Sequence, residues 1–406
     1  MKSELQMTMD AAQPARKAVC PACGGEKLGR FFEIPELPTN CVALGTSRDS
    51  AIGCAKGRID LGFCRSCGAV NNLAYDAAKL SYDASYDNSL HFSPTFQKYA
   101  NEVARDLVNR LGVRGKNVID VGCGNGEFLS LICEVGDNRG MGFDPSFIPG
   151  RANLQAGQGV TIIPDYYSAK YSQHAADFVM CRHVLEHIPE PQTFLRNLRT
   201  ALSNKPDAAI FFELPNAEFV FQKSGLWDII YEHCFYYSPG AMARLFASCG
   251  FDVVRVYDAF RGQYLCLEAR VSAKIPGQLG SFGGDLTTMH QGILKFSEEY
   301  RETWRRWRET LSKFAAAGKR VVLWGAGAKG AMFLNAFRDV GSLEYIVDVN
   351  PHKHGLFVPG TGQEVVSPEF LKGYRPDVLL IVNANYREEI ARKVSELGLT
   401  PEILAI

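Results

Sequence analysis

The stretch Val118-Ile-Asp-Val-Gly-Cys-Gly-Asn-Gly-Glu-Phe-Leu129 decides how the chain is read. Val118, Ile119 and Val121 flank Asp120 in a short apolar strand, which runs into Gly122, Gly124 and Gly126 and then into a helix. Glycines at alternate positions permit a tight turn and let a ligand touch the backbone. A strand, a glycine turn and a helix in that order begin a doubly wound α/β sheet, which holds its ligands beyond the carboxyl ends of its strands.

A G-x-G turn could equally serve NAD, so the next strand matters. Gly140-Met-Gly-Phe-Asp-Pro145 ends in Asp144, a carboxylate suited to ribose hydroxyls. The D-x-G-x-G-x-G order resembles class I S-adenosylmethionine-dependent methyltransferases rather than a dinucleotide G-x-G-x-x-G. The resemblance implies that Asp120, Gly122, Gly124, Gly126 and Asp144 hold the methyl donor. It also implies that Asp165, in Ile162-Ile-Pro-Asp165, lies at the adenine end. Met180-Cys-Arg-His-Val-Leu-Glu-His-Ile-Pro189 is similar to a segment of the same enzymes, which would set Cys181, Arg182 and His183 beside the methionine and sulfonium. His187, one helical turn later, reads either as a packed or capping histidine or as part of the site.

Outward from this centre, strands are expected at 160–163, 176–180 and 209–213, with helices between most of them. Two close strands near 251 and 264 suggest an antiparallel hairpin on one edge. Helical spacing of Phe96, Tyr99, Val103, Leu107 and Leu111 precedes the first strand. A connector at 271–285 leads to a long amphipathic helix over about 286–317, which could dock domains or pair chains. A second α/β series opens at Arg320.

On the other side, residues 1–18 are polar and read as a disordered tail. Residues 19–78 are rich in Cys, Gly and Pro and bury little core, so a metal is needed to hold them. Cys20-Pro-Ala-Cys23 and Cys64-Arg-Ser-Cys67 are two C-x-x-C knuckles. Four thiolates make a closed tetrahedral zinc site, structural because no position stays open; redox dithiols or unrelated free cysteines are the alternatives. Cys41 and Cys54 read as non-ligands. The expected domains are 1–78 (tail and zinc-binding domain), 79–272 (methyltransferase domain) and 273–406 (long helix and Rossmann-like domain). The fold class is α/β.

Lys plus Arg and Asp plus Glu both total 44, so the net charge is zero and nothing favours nucleic acid as the main partner. The arginines at 301, 305, 306 and 308 alternate with glutamates, as on a solvated helix face. No stretch reaches the roughly 18 apolar residues of a spanning helix, and 1–17 lacks the core of a signal peptide. Twelve cysteines then point to reduced thiols and a cytoplasmic location. A monomer is compatible with these features.

Trp227-Asp-Ile-Ile-Tyr-Glu-His-Cys-Phe-Tyr-Tyr-Ser238 places Tyr231, Glu232 and His233 together among aromatics, a candidate general-base cluster. Here the resemblance narrows to three-domain sugar C-methyltransferases, such as the C-3′-methyltransferase type of the tetronitrose pathway, and it spans nearly the whole chain. It implies His233 as base, with Glu232 and Tyr231 orienting it or the substrate. That family often has one residue between the tyrosine and the Glu-His pair, whereas Tyr231 is adjacent to Glu232. Ser81-Tyr-Asp-Ala-Ser-Tyr-Asp-Asn88 resembles the family's tyrosine lid, with Tyr86 the better match; plain packing is the alternative.

Leu323-Trp-Gly-Ala-Gly-Ala-Lys-Gly330, with Asp348 beyond the next strand, matches a dinucleotide fingerprint on spacing alone. The resemblance instead implies a nucleotide-sugar platform without NAD. Gly325, Gly327, Lys329 and Asp348 would bind substrate there, with Asn383, Asn385 and Tyr386 lining the same crevice or forming a loop.

The implied chemistry is C-methylation of an NDP-4-keto-deoxysugar. His233 would remove the proton beside the ketone, Glu232 would hold the base's tautomer, and Tyr86 or His183 would donate to the enolate oxygen. The carbanion would take the sulfonium methyl. The rivals are O- or N-methylation of another sugar or small metabolite, an NAD-dependent enzyme, and a zinc-anchored module that binds RNA or protein.

Overall fold

The structure, a computed structural model, describes residues 19–83, 86, 88–151, 159–174, 176–223, 225–279, 282, 286–341 and 343–406. The expected tail at 1–18 and part of the 271–285 connector lie outside the described residues.

The cysteine-rich segment forms β1 (Leu28–Pro38), helix α1 (Arg48–Ile52), β2 (Lys56–Cys64) and β3 (Val70–Asn72). These strands pair antiparallel in the order β1-β2-β3.

The middle of the chain gives α2 (Pro94–Leu111), β4 (Asn117–Val121), α3 (Glu127–Gly136), β5 (Arg139–Phe143), β6 (Val160–Ile163), β7 (Phe178–Arg182), α4 (Pro191–Ala201) and β8 (Ala209–Pro215). It continues with α5 (Ala217–Gln222), β9 (Phe235–Tyr236), α6 (Pro239–Ser248), β10 (Phe251–Ala259) and β11 (Tyr264–Val271). Helix α2 follows the usual capping chemistry: Ser93 accepts the Phe96 N–H, Pro94 takes the first turn, and Gly112 ends it in the left-handed region. The seven-stranded sheet runs β10-β11-β8-β7-β4-β5-β6. Strands β4 to β8 within it are parallel, while β11 is antiparallel to β8 and to β10, the hairpin expected at one edge.

Strand β9 does not join that sheet. It pairs with β3, Val70 opposite Tyr236, and so becomes the fourth strand of the cysteine-rich sheet. A boundary at residue 78 is therefore crossed by a strand that begins two residues after His233.

Helix α7 (Leu286–Ala316) leads to β12 (Val321–Trp324), α8 (Ala328–Ala336), β13 (Leu343–Val347), β14 (Glu364–Val366), α9 (Leu371–Tyr374), β15 (Val378–Ile381), α10 (Arg387–Glu396) and β16 (Glu402–Ala405). The third sheet, β14-β13-β12-β15-β16, is parallel throughout. Of the two roles open to α7, the structure shows docking within the chain. Its Phe296 and Tyr300 pack edge-on against Phe32 of β1, and Ser297 donates to the Phe31 carbonyl at 2.8 Å. Farther along, Trp304 donates to the Ala336 carbonyl at 3.2 Å. One apolar cluster thus runs from β1 and β2 through Trp227 and Phe296 to Phe333 and Leu380.

Candidate active site

A cavity of about 640 Å³ lies where the carboxyl ends of both parallel sheets face one another. Gly122, Gly124, Asp120 and Asp144 line one end; Gly325, Gly327, Lys329, Asp348 and Asn383 line the other. Between them stand Tyr86, His183, Glu186, His187, Glu232 and His233. Its size falls within the roughly 300–1,000 Å³ common for small-ligand sites.

The glycine turn after β4 is built from backbone that other residues resist. Gly122 has φ +72°, and a Cβ there would lie 2.1 Å from Cγ2 of Val184. Gly124 has φ +56° and nothing within 4 Å of a Cβ position, so its free face belongs to the cavity. Asp144 accepts the Gly124 N–H at 2.8 Å and binds Ser146 through its other oxygen. The carboxylate expected to meet the ribose therefore fixes the turn. Gly126 is not on the cavity wall; it opens α3 with φ +85°.

Asp120 is buried, and its Oδ1 has no partner among the described residues. Burial pushes its carboxyl up to about 7, against the pull of Arg182. Arg182 stacks over Phe128 at 3.9 Å and pairs with buried Glu213 at 2.7 Å. Burial pushes the Glu213 carboxyl up, but Arg182, His183 and Tyr99 outweigh it and hold it at about 2. This residue is an ionised anchor beneath the donor end.

Several sequence expectations need correction. Cys181 is 1% exposed and packs in the core beneath the sheet's end; Arg182 and His183 reach the cavity instead. Asp165 turns away, bound by Lys170, by the Tyr171 hydroxyl at 2.7 Å and by the Tyr166 N–H at 2.8 Å. Tyr166 and Tyr167 line the cavity in its place. Tyr231 is fully buried outside the cavity, where its hydroxyl accepts the Asp76 N–H at 2.9 Å and its ring stacks on Tyr75. A Cβ on Gly57 would lie 2.2 Å from that ring, so Tyr231 locks the cysteine-rich sheet to the segment before His233.

Glu232 does not hold the tautomer of His233. Its Oε1 accepts the Cys41 N–H, and Oε2 has no partner among the described residues. Burial pushes this carboxyl up to about 7. Cys41, read as a bystander to the metal, thus meets the site through its backbone. His233 is 8% exposed with Nδ1 unpartnered, and burial holds it well below the usual histidine range, with His187 adding to the effect. It is a neutral imidazole with a free lone pair.

His183 cannot donate into the cavity from Nε2, which lies 3.0 Å from the ionised Glu213 carboxylate and gives its proton there. Its backbone is left-handed, φ +55°, a conformation rare outside glycine and concentrated at functional sites. His187 is part of the wall. Its Nδ1 lies 3.0 Å from the Glu232 carbonyl, an acceptor only, so Nδ1 carries the proton and Nε2 is bare. The Tyr82 hydroxyl meets the same Nδ1 at 2.9 Å, and Tyr82 packs edge-on against Tyr86.

At the far end, Lys329 pairs with Asp228 across the two α/β units. Asp348 accepts the Ala326 and Asn350 N–H groups at 2.8 Å each, and buried Lys353 stands 3.7 Å away. Both glycine turns are thus latched by the carboxylate after the next strand. Asn383 lines the cavity, but its amide donates to Gln263 at 2.9 Å and its carbonyl caps Asn385, so it ties the two units together.

The two C-x-x-C knuckles close alike: Gly24 N–H to the Cys20 carbonyl and Gly68 N–H to the Cys64 carbonyl, both 2.8 Å. Their four sulfurs lie within 4.8 Å of one another, with Cys20–Cys67 at 3.8 Å and Cys23–Cys64 at 3.6 Å. Tetrahedral zinc with bonds of about 2.3 Å needs sulfurs about 3.8 Å apart, so the donor set fits. Cys41 and Cys54 stand outside it.

Residues 96–256 match the family model of a methyltransferase domain, and residues 285–399 match that of a C-methyltransferase C-terminal domain. The chain thus carries a methyltransferase domain followed by a C-methyltransferase C-terminal domain. It is an S-adenosylmethionine-dependent methyltransferase with a class I Rossmann-like fold. A C-methyltransferase, NovU of Streptomyces niveus, is 28% identical over 300 residues, covering 70% of each chain. The ubiquinone biosynthesis O-methyltransferase of Proteus mirabilis is 34% identical over 111 residues, 26% of this chain. That match spans 44% of the relative's length, under half of it. Among solved structures, the 1,6-didemethyltoxoflavin-N1-methyltransferase of Burkholderia thailandensis aligns over 44% of this chain and 81% of its own, with 20% identity and a TM-score of 0.35.

Glu186 and Asp228 were missed as site residues, although both stand inside the segments quoted for His183 and His233. Their neighbours drew the attention because imidazoles titrate near neutral pH, whereas a carboxyl does so only when a fold buries it.

Proposed function

We propose that this C-methyltransferase acts on an NDP-4-keto-deoxysugar, methylating the carbon beside the ketone. The observation that carries this is the shared cavity. The donor-side turn at Gly122–Gly124, the His233 imidazole, whose Nδ1 has no partner among the described residues, and the second turn at Gly325–Lys329 all line it. A small acceptor would need no second turn; a sugar joined to a diphosphate would span from His233 to the N-terminus of α8, where free N–H groups suit an anion.

S-adenosylmethionine supplies an electrophilic methyl on sulfur. The chain's own residues do the remainder. Asp144 and the glycine turn position the donor, Lys329 and the α8 N-terminus hold the diphosphate, and Tyr82 and Tyr86 cover the sugar. His233 takes the proton beside the ketone at Nδ1, leaving an enolate aimed at the methyl group. Zinc on Cys20, Cys23, Cys64 and Cys67 is structural in this scheme. The free thiols fit a cytoplasmic enzyme, and the even charge balance fits a small-molecule rather than a nucleic-acid partner; among the described residues no helix is long and apolar enough to cross a membrane.

The test is mass spectrometry of reactions with the donor and a panel of NDP-4-ketosugars. A product heavier by one methyl, with that methyl on carbon by NMR, is expected. Methyl transfer to a hydroxyl or amine would replace this proposal with an O- or N-methyltransferase.

A further inference from the structure

The scheme above leaves the ketone oxygen without a convincing partner. As charge develops there, a donor must meet it, and His183 has spent its Nε2 proton on Glu213. Glu186 stands beside the gap. It is 2% exposed, lines the cavity, and neither carboxyl oxygen has a hydrogen-bond partner among the described residues. Buried polar atoms are rarely left this way without a ligand or a catalytic task.

The groups around it fix its protonation. His183 gives its Nε2 proton to Glu213, and its Nδ1 lies 3.8 Å from Glu186 Oε1. His187 gives its Nδ1 proton to the Glu232 carbonyl, so its Nε2, 4.0 Å from the same oxygen, presents a lone pair. From β8, the ionised Glu213 adds negative charge, and Tyr86 approaches from the strap before α2. Among the described residues no cation is paired with Glu186. Burial, with the negative charge of Glu213 adding to it, pushes this carboxyl up to about 8, and His187 Nε2 stands by as an acceptor for its proton. One polar side-chain atom each of Glu186, His187 and His233 lie within 4.8 Å of one another, so the acid and the base stand together on the cavity wall.

We propose that Glu186 is the acid of the reaction: its carboxyl proton meets the substrate's ketone oxygen while His233 Nδ1 removes the proton from the neighbouring carbon. This rests on the ketosugar assignment. The C–H bond breaks towards His233 and its electron pair forms the C=C bond. The carbonyl π pair moves to oxygen, which takes the Glu186 proton. The enol carbon then bonds to the methyl carbon as the C–S bond breaks and its pair stays on sulfur, giving S-adenosylhomocysteine. The O–H pair restores the ketone, the proton returns to Glu186, and the one on His233 leaves to solvent.

Hydrogen–deuterium exchange at the carbon beside the ketone isolates the first half. It is run in heavy water with S-adenosylhomocysteine and dTDP-4-keto-6-deoxyglucose as probe. Glu186→Gln keeps the side chain's size but has no acid. Exchange is expected to fall roughly 10²–10³-fold, with calorimetric affinity for S-adenosylhomocysteine within about twofold of the parent. Exchange within threefold of the parent overturns the assignment while leaving the substrate intact. Exchange absent from the parent enzyme with this probe and other NDP-4-ketosugars overturns the substrate assignment and Glu186 with it. Two further measurements stand even if the variant misfolds. Parent exchange should decline above about pH 8, and a flat profile to pH 9.5 overturns the role. Metal counting should give one ion per chain; a second ion would make Glu186, His187 and His233 its ligands and overturn the acid role.

Discussion

Lys329, in the first turn of α8, meets the carboxylate of Asp228, five residues before His233. The ammonium that would greet a diphosphate is thus already aimed into the cavity by a carboxylate of the other α/β unit. Asp228 Oδ2 is buried without a partner among the described residues, so this pair is the local charge balance. Lys329→Met should raise KM for the nucleotide sugar about 10–100-fold, the worth of one charged hydrogen bond. The affinity for S-adenosylhomocysteine should stay put. Steady-state kinetics and calorimetry check both.

His233→Asn should cut turnover by roughly 10² or more, the usual contribution of one base. Methyl-donor binding should survive, since His233 lies across the cavity from the Gly122–Gly124 turn. A stopped-turnover assay with calorimetry separates the two; near-normal turnover removes His233 from the base role.

The pH dependence follows from burial. Glu186 titrates at about 8 rather than near 4.5, so the enzyme should lose activity as pH rises through 8 and the acid loses its proton. Glu186→Gln should be slow and lack that alkaline fall. Stability carries matching signs. A raised carboxyl favours the fold most below its unfolded value, and that contribution is lost as pH rises towards 8. Glu213, held at about 2, does the opposite: its contribution is present above the unfolded value and is lost as pH falls through 2. Thermal unfolding of ligand-free enzyme from pH 5 to 9 should show a decline to which Asp120 and Glu232, both raised to about 7, also contribute, and Glu186→Gln should remove its most alkaline part.

Two neighbouring glycines should respond differently. Gly122→Ala meets both a left-handed backbone and a Val184 methyl at 2.1 Å, so its melting temperature should drop. Gly124→Ala meets open space, and its backbone strain is about 1–2 kcal/mol. Its methyl should weaken donor binding more than it harms the fold. Calorimetry and thermal melts on the pair tell these apart.

Metal removal should reach the active site. Cys64 and Cys67 bracket the turn between β2 and β3, β3 pairs with β9, and β9 begins two residues after His233. Chelation, or Cys64→Ser, should abolish activity together with near-ultraviolet circular dichroism from Tyr236 and Tyr237, while much of the seven-stranded sheet persists.

The strand order, the glycine turns, the cysteine knuckles and α7 were legible because each has a local signature: period, spacing or a residue that tolerates unusual backbone. The failures share another character. Tyr231 and Glu232 sit beside His233 in sequence, yet one side chain turns to Asp76 and the other to Cys41, contacts made across 155 and 191 residues. Asp165 was assigned by its place at a strand end, but Lys170 and Tyr171, within six residues, claim it. Cys181 obeyed strand alternation and went inward, while Arg182 went to the cavity. Glu186 gained its character only from burial between two imidazoles whose protons are committed elsewhere.

Ser93 and the Thr95 N–H, at the N-terminus of α2, both give their hydrogens to Glu389 of α10, at 2.6 and 2.9 Å. A helix of one α/β unit is thus capped by the other, and Asn385 adds a second tie through Gln263 and the Phe260 carbonyl. Pulling the halves apart would strip α2 of that cap and leave these amides bare. The cavity is a sewn seam rather than a hinged jaw, stitched on one side by Glu389 and on the other by Asn385.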